Sequence, residues 1–75
     1  MRAIFLCNTP SVIARVFDDD TKARIAELCE LDATVYTKAD VLSSPASFSD
    51  VEIAFSSWGM PTFSEDEIKS SLPSL

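Results

Sequence analysis

Histidine is absent from this 75-residue chain, glycine occurs once, and the six Lys and Arg residues face twelve Asp and Glu. Without histidine the chain lacks the side chain most often used as a general acid or base, and it contains neither a G-x-G-x-x-G turn nor a P-loop. The formal net charge of −6 argues against nucleic acid, which binds basic side chains through its phosphates. We therefore expect neither catalysis by this chain alone nor nucleic-acid binding.

Long apolar runs are also missing. None approaches the roughly 20 residues that a membrane span needs, and the N-terminus becomes polar after Cys7, too early for a secretory signal. A chain of 75 residues is too short for an enzyme with its own cofactor domain, whereas a hydrophobic content of 47% is too high for a disordered acidic tail. We expect one small, soluble, cytoplasmic domain without a membrane partner.

The two cysteines, Cys7 and Cys29, are widely spaced and have apolar neighbours. Two thiols without histidine are too few for a zinc site unless acidic side chains or a second chain complete it, so we interpret both as small core residues and expect no metal. Cys7 ends an apolar run, as a phosphatase nucleophile does. However, the loop after it has no glycine, and Arg15 is too distant to cradle phosphate.

Apolar and polar patterns alternate along the chain as strands and helices. The predicted strands are residues 3–7, 33–36 and 51–56, and the predicted helices are residues 11–17, 21–31, 37–42 and 65–71. Asp18 to Asp20 precede the second helix and Ser64 with Glu67 forms a capping box for the last. Ile25, Leu28 and Cys29 share one face of the second helix, and Val51, Ile53 and Phe55 share one face of the third strand. Phe48 is predicted to anchor the polar connection of residues 43–50.

This order predicts an α/β fold with a parallel sheet of about three strands and flanking helices. Ligands of such sheets bind beyond the carboxyl ends of the strands. The loop after the third strand is the better candidate, because a lone glycine beside a tryptophan permits close backbone approach next to a large apolar surface. We therefore predict Ser57, Trp58, Gly59 and Met60 as cleft residues; the alternative is that Trp58 caps the core and Gly59 supplies an unusual backbone angle.

Residues 53–61, Ile-Ala-Phe-Ser-Ser-Trp-Gly-Met-Pro, resemble the N-terminal part of the D-isomer-specific 2-hydroxyacid dehydrogenases. More closely, they are similar to a bacterial subgroup whose third strand ends in a Ser-Thr-Trp-Gly-Met-Pro type segment, from which Ser57 departs by replacing Thr. Residues 26–32, 35–38, 64–68 and 72–75 also resemble that subgroup. The resemblance covers essentially the whole chain, although none of its motifs is catalytic.

The resemblance implies a partial flavodoxin-like (Rossmann-like) sheet in a substrate-binding domain that is hinged to a Rossmann domain. In the family that second domain binds NAD(P) and carries the catalytic Arg, acidic residue and His, and the substrate-carboxylate loop follows a fourth strand. None of these positions exists in residues 1–75, so no catalytic residue and no cofactor are expected for this chain itself. Only the loop of Trp58, Gly59 and Met60 is carried over, as a neighbour of the substrate.

The expected function is thus that of an N-terminal segment of an NAD-dependent 2-hydroxyacid dehydrogenase-like oxidoreductase, not catalytic alone. The alternative is a stand-alone α/β interaction or regulatory module. The chain looks cut before a fourth strand, which in a 2-1-3-4-5 order would leave the third strand at an edge. Because that strand has no Pro or Lys to protect it, a homodimer or higher oligomer through this strand is expected.

Overall fold

Three strands, β1 (Arg2–Leu6), β2 (Glu30–Tyr36) and β3 (Val51–Phe55), form one parallel sheet in the order β2-β1-β3. The computed structural model describes residues 1–75 apart from the side chain of Ala33. The predicted α/β class, the parallel sheet of three strands and the central place of β1 are confirmed. Helices accompany every strand: α1 (Pro10–Val16), α2 (Asp19–Leu28), α3 (Lys38–Ser43), a 3-10 helix at Pro45–Phe48, and α4 (Glu65–Ser71).

The central strand is apolar because helices cover both of its faces. Its residues from Ala3 to Leu6, and Cys7 after them, have no solvent exposure. Successive side chains of a strand point to opposite faces, so the run divides between two clusters. One cluster joins Ile4 and Leu6 to the side of α3 and α4: Val41, Phe48, Val51 and Leu72. The other joins Phe5 and Cys7 to Ile13 of α1, with Phe17, Leu31, Val35 and Phe55 packed around them.

Side-chain caps fix where three helices begin. Asp18 accepts a hydrogen bond from the backbone N–H of Thr21 at 2.8 Å and so caps α2. The predicted capping box of α4 is confirmed: the backbone N–H of Ser64 donates to Glu67 Oε1 at 2.8 Å, and the N–H of Glu67 donates back to Ser64 Oγ at 3.2 Å. Thr37 begins α3 in the same way. These bonds satisfy N–H groups that have no partner within their helices.

The prediction that Val51, Ile53 and Phe55 share one face is wrong. Arg2 pairs with Val51, whereas the next residue of β1 pairs with Ile53, so Glu52 is an extra residue in β3. An extra residue shifts the alternation of side chains by one position. As a result Val51 belongs to the cluster beside α4, and Phe55 packs on the opposite face of the sheet.

The predicted extent of the second helix is also wrong at its C-terminal end. α2 ends at Leu28, and β2 begins already at Glu30, whose N–H donates to the carbonyl of Met1 at 2.8 Å. Glu30 and Leu31, the last residues of the predicted helix, thus pair with β1 as part of β2. Leu31 becomes a strand residue of the core, and Leu28, expected on the apolar face of the helix, is 86% exposed.

No helix among residues 1–75 is both long and apolar enough to cross a membrane. The longest, α2, has 10 residues.

Candidate functional site

The loops that follow the three strands meet at the carboxyl edge of the sheet. The chain runs from β1 to β2 on one side and then crosses to β3 on the other, so the strand order reverses between β1 and β3. In open α/β sheets this reversal point is where ligands bind. Two segments lie there, Asn8–Thr9 after β1 and Ser56–Met60 after β3, and the second contains all four predicted cleft residues.

Residues 57–60 form a turn, in which the N–H of Met60 donates to the carbonyl of Ser57 at 3.1 Å. Gly59 is the third residue of this turn and has a φ of +91°, which side chains disfavour. Trp58 is 78% exposed and Met60 is 50% exposed, so the turn presents two large apolar side chains to solvent. The alternative that Trp58 caps the core is therefore wrong, whereas the unusual backbone angle of Gly59 is confirmed.

The residues at the end of β1 form two hydrogen bonds with this turn. The Cys7 thiol donates to the carbonyl of Trp58 at 3.1 Å, and the N–H of Asn8 donates to the carbonyl of Gly59 at 2.8 Å. Cys7 is buried and free, as predicted, and Cys29 is free but only partly buried. The carbonyl groups of Trp58 and Gly59 are therefore both hydrogen-bonded to β1 or the residue after it, and the Trp58 side chain projects from this anchored backbone.

Lys38 connects the same edge to α4 and is a residue that sequence reasoning missed. Its ammonium donates to the carbonyl of Thr62 at 2.6 Å and lies 3.3 Å from a carboxylate oxygen of Glu67. Its backbone N–H donates to Asn8 Oδ1 at 3.0 Å. No local pattern could have indicated these contacts, because they join residues 24 and 30 positions apart.

The Ser56 hydroxyl, at the end of β3, is buried and makes no hydrogen bond with the residues that the structure describes. A buried polar atom without a partner costs about 1–3 kcal/mol. It therefore marks a local loss of stability immediately before the Trp58 turn.

A groove of about 440 Å³ lies beside β2 and α3 and is lined by Arg2, Tyr36, Asp40 and Phe48 among others, but by none of the four predicted cleft residues. Its charged side chains and the Tyr36 hydroxyl already have partners within the protein. Arg2 donates to Asp50 at 2.7 Å and to the carbonyl of Ser47 at 2.6 Å, and the hydrogen bond to Asp50 raises the pKa of the guanidinium. We interpret this groove as a structural network.

Within that network the Tyr36 hydroxyl donates to Asp32 Oδ2 at 2.5 Å. This bond lowers the pKa of Asp32, because it stabilises the carboxylate, and it raises the pKa of Tyr36, because ionisation would remove the donated proton. The largest cause of both shifts is thus local, a hydrogen bond between two residues of one strand.

The carboxyl edge can bind an apolar group through Trp58 and Met60 and can hydrogen-bond a polar one through the exposed side-chain amide of Asn8. Among the side chains that the structure describes, no three potential metal ligands lie together. Comparisons of the chain with protein-family models, with curated proteins and with solved structures find no match.

Proposed function

We propose that this chain forms part of the substrate-binding domain of an NAD(P)-dependent 2-hydroxyacid dehydrogenase-like oxidoreductase and is not catalytic alone. The observation that carries the proposal is the position of Trp58, 78% exposed on the turn where the strand order reverses. The resemblance of residues 53–61 to that family gives the same turn a place beside the substrate.

In this proposal Trp58 and Met60 contact the carbon chain of a 2-oxo or 2-hydroxy acid, and Asn8 offers a hydrogen bond. The turn from Ser56 to Met60 carries no charged side chain, so it suits the substrate's apolar part better than its carboxylate. Hydride transfer and carboxylate binding belong to other segments of such an enzyme. The free thiols of Cys7 and Cys29 suit a reducing compartment, in line with a cytoplasmic location.

The test is a titration of the isotope-labelled chain with phenylpyruvate, followed by NMR of the backbone amides. The matched control ligand is 3-phenylpropionate, which has the same ring and carboxylate but no 2-oxo group. We expect saturable shifts confined to residues 8–9 and 56–60, larger for phenylpyruvate, and lost in Trp58→Ala. Equal shifts with both acids, or shifts elsewhere in the chain, would contradict the proposal.

NADH supplies a second test. The pyrophosphate of the cofactor needs a glycine turn at a helix N-terminus, which this sequence lacks. Titration calorimetry should therefore give no saturable NADH isotherm for this chain. A saturable isotherm would show that this chain binds the cofactor itself, which would contradict our proposal that the cofactor binds to another domain.

A second candidate is an interaction module, which the exposure of both Trp58 and Met60 favours. Tryptophan is enriched among residues that dominate protein–protein binding. The titration separates the two candidates, because an interaction surface has no reason to distinguish a 2-oxo acid from its deoxygenated analogue.

A further inference from the structure

Two hydrogen bonds join the Trp58 turn to the end of β1. Two successive carbonyl groups of the turn accept hydrogen bonds from β1: that of Trp58 from the Cys7 thiol and that of Gly59 from the N–H of Asn8. The two peptide groups that flank Gly59 are thereby fixed in direction. The backbone from which the Trp58 side chain projects is thus held against β1.

Gly59 makes this approach sterically feasible. A Cβ atom at this position would lie 3.0 Å from Thr9 Oγ1 and 3.1 Å from Cys7 Sγ, and the φ of +91° would strain any side chain. A side chain at this position would therefore strain the backbone and crowd Thr9 and Cys7, and a shift of the turn away from β1 would relieve both. Such a displacement would also uncover the Cys7 thiol, which has no exposure in the closed arrangement.

Asn8 extends the contact to the third loop. While its backbone N–H holds the Trp58 turn, its side-chain oxygen accepts a hydrogen bond from the backbone N–H of Lys38 after β2. One residue thus joins the loops after all three strands. A substitution of Asn8 would remove only the bond to Lys38, because the backbone N–H that binds Gly59 would remain.

We propose that Cys7 and Asn8 are the positioning element of the candidate site: their hydrogen bonds hold the Trp58 turn closed over β1, and they set the selectivity of the site by fixing the backbone that carries the Trp58 side chain. The role in selectivity rests on the function proposed above. The closed position of the turn against β1 does not depend on that function, and the accessibility of the Cys7 thiol measures whether the turn is closed or open.

The first test uses a Cys29→Ser background, in which Cys7 is the single thiol, and follows alkylation by iodoacetamide under native conditions. In Gly59→Ala the turn should open locally and alkylation should accelerate about tenfold, the fold-change expected for a strained backbone of this kind. This rate should depend only weakly on urea, because local opening exposes little surface.

The matched control is Leu72→Ala, which removes a buried side chain from the opposite cluster and does not touch the turn. Its alkylation should proceed through global unfolding and rise steeply with urea. If Gly59→Ala shows the same steep dependence as Leu72→Ala, the turn does not open independently and the inference is overturned.

The second test compares phenylpyruvate with 3-phenylpropionate in Cys7→Ala and Cys7→Ser. The serine keeps a donor for the carbonyl of Trp58 and should keep the wild-type preference, whereas alanine removes that donor and should lose most of the preference. If the wild-type chain binds neither acid, the proposed function fails while the alkylation result still stands. If it binds phenylpyruvate and Cys7→Ala keeps the preference, the positioning role fails instead.

Discussion

The single residue Ser56, next to the candidate site, lowers the free energy of unfolding. Its buried hydroxyl has no partner among the described residues, so Ser56→Ala should raise the free energy of unfolding, by up to about 1 kcal/mol. Urea unfolding followed by Trp58 fluorescence measures this. Ser57→Ala, on the neighbouring half-buried serine, serves as the control and should change stability little. A loss of stability in Ser56→Ala would mean that the hydroxyl has a partner.

The bond between Tyr36 and Asp32 gives stability a defined pH dependence. The pKa of Asp32 is lowered on folding, so this contribution is present above the unfolded pKa near about 4 and is lost as the pH falls through the folded value. The pKa of Tyr36 is raised, so its contribution is present below about 10 and is lost as the pH rises through the folded value.

Tyr36→Phe should therefore lower stability between these limits and flatten both limbs of the profile. Urea unfolding at a series of pH values gives the comparison. A Tyr36→Phe curve that runs parallel to the wild-type curve at both ends would show that the hydrogen bond does not control either group.

At the scale of the element, α4 depends on its capping box. Ser64→Ala removes the oxygen that accepts from the N–H of Glu67 and should cost about 1 kcal/mol. Ser70→Ala, at an exposed position of the same helix, makes the same chemical change without a cap and should be neutral or slightly stabilising, because alanine favours helices. Equal effects of the two variants in thermal unfolding would contradict the role of the cap.

At the scale of the whole molecule, we also propose that two copies associate through β3. This strand is at one edge of the sheet, contains no Pro or Lys, and presents unpaired backbone groups to a similar strand. The charge of −6 per chain opposes association but is screened beyond about 8 Å at physiological salt.

Sedimentation velocity over a range of micromolar concentrations should show a dimer that Ile53→Lys dissociates. Thr34→Lys adds the same charge to the opposite edge strand and should leave the dimer intact. A wild-type chain that sediments only as a folded monomer would refute the pairing.

The sequence alone determined the elements whose causes are local. The apolar run of β1, the Asp18 cap and the Ser64 capping box lie within a few residues, so the strand, the helix starts and the α/β order could be read from them. The glycine turn after β3 was also predictable, because glycine readily adopts the positive φ that a tight turn needs.

Only the tertiary structure decided which faces these elements bury and what holds the candidate site together. The bulge at Glu52 moved Val51 to the other cluster, and the early start of β2 left Leu28 in solvent. Likewise, the bond from Cys7 to Trp58 spans 51 positions. The physical reason is the same in each case: strand register and loop contacts depend on residues distant in sequence, which local propensity does not encode.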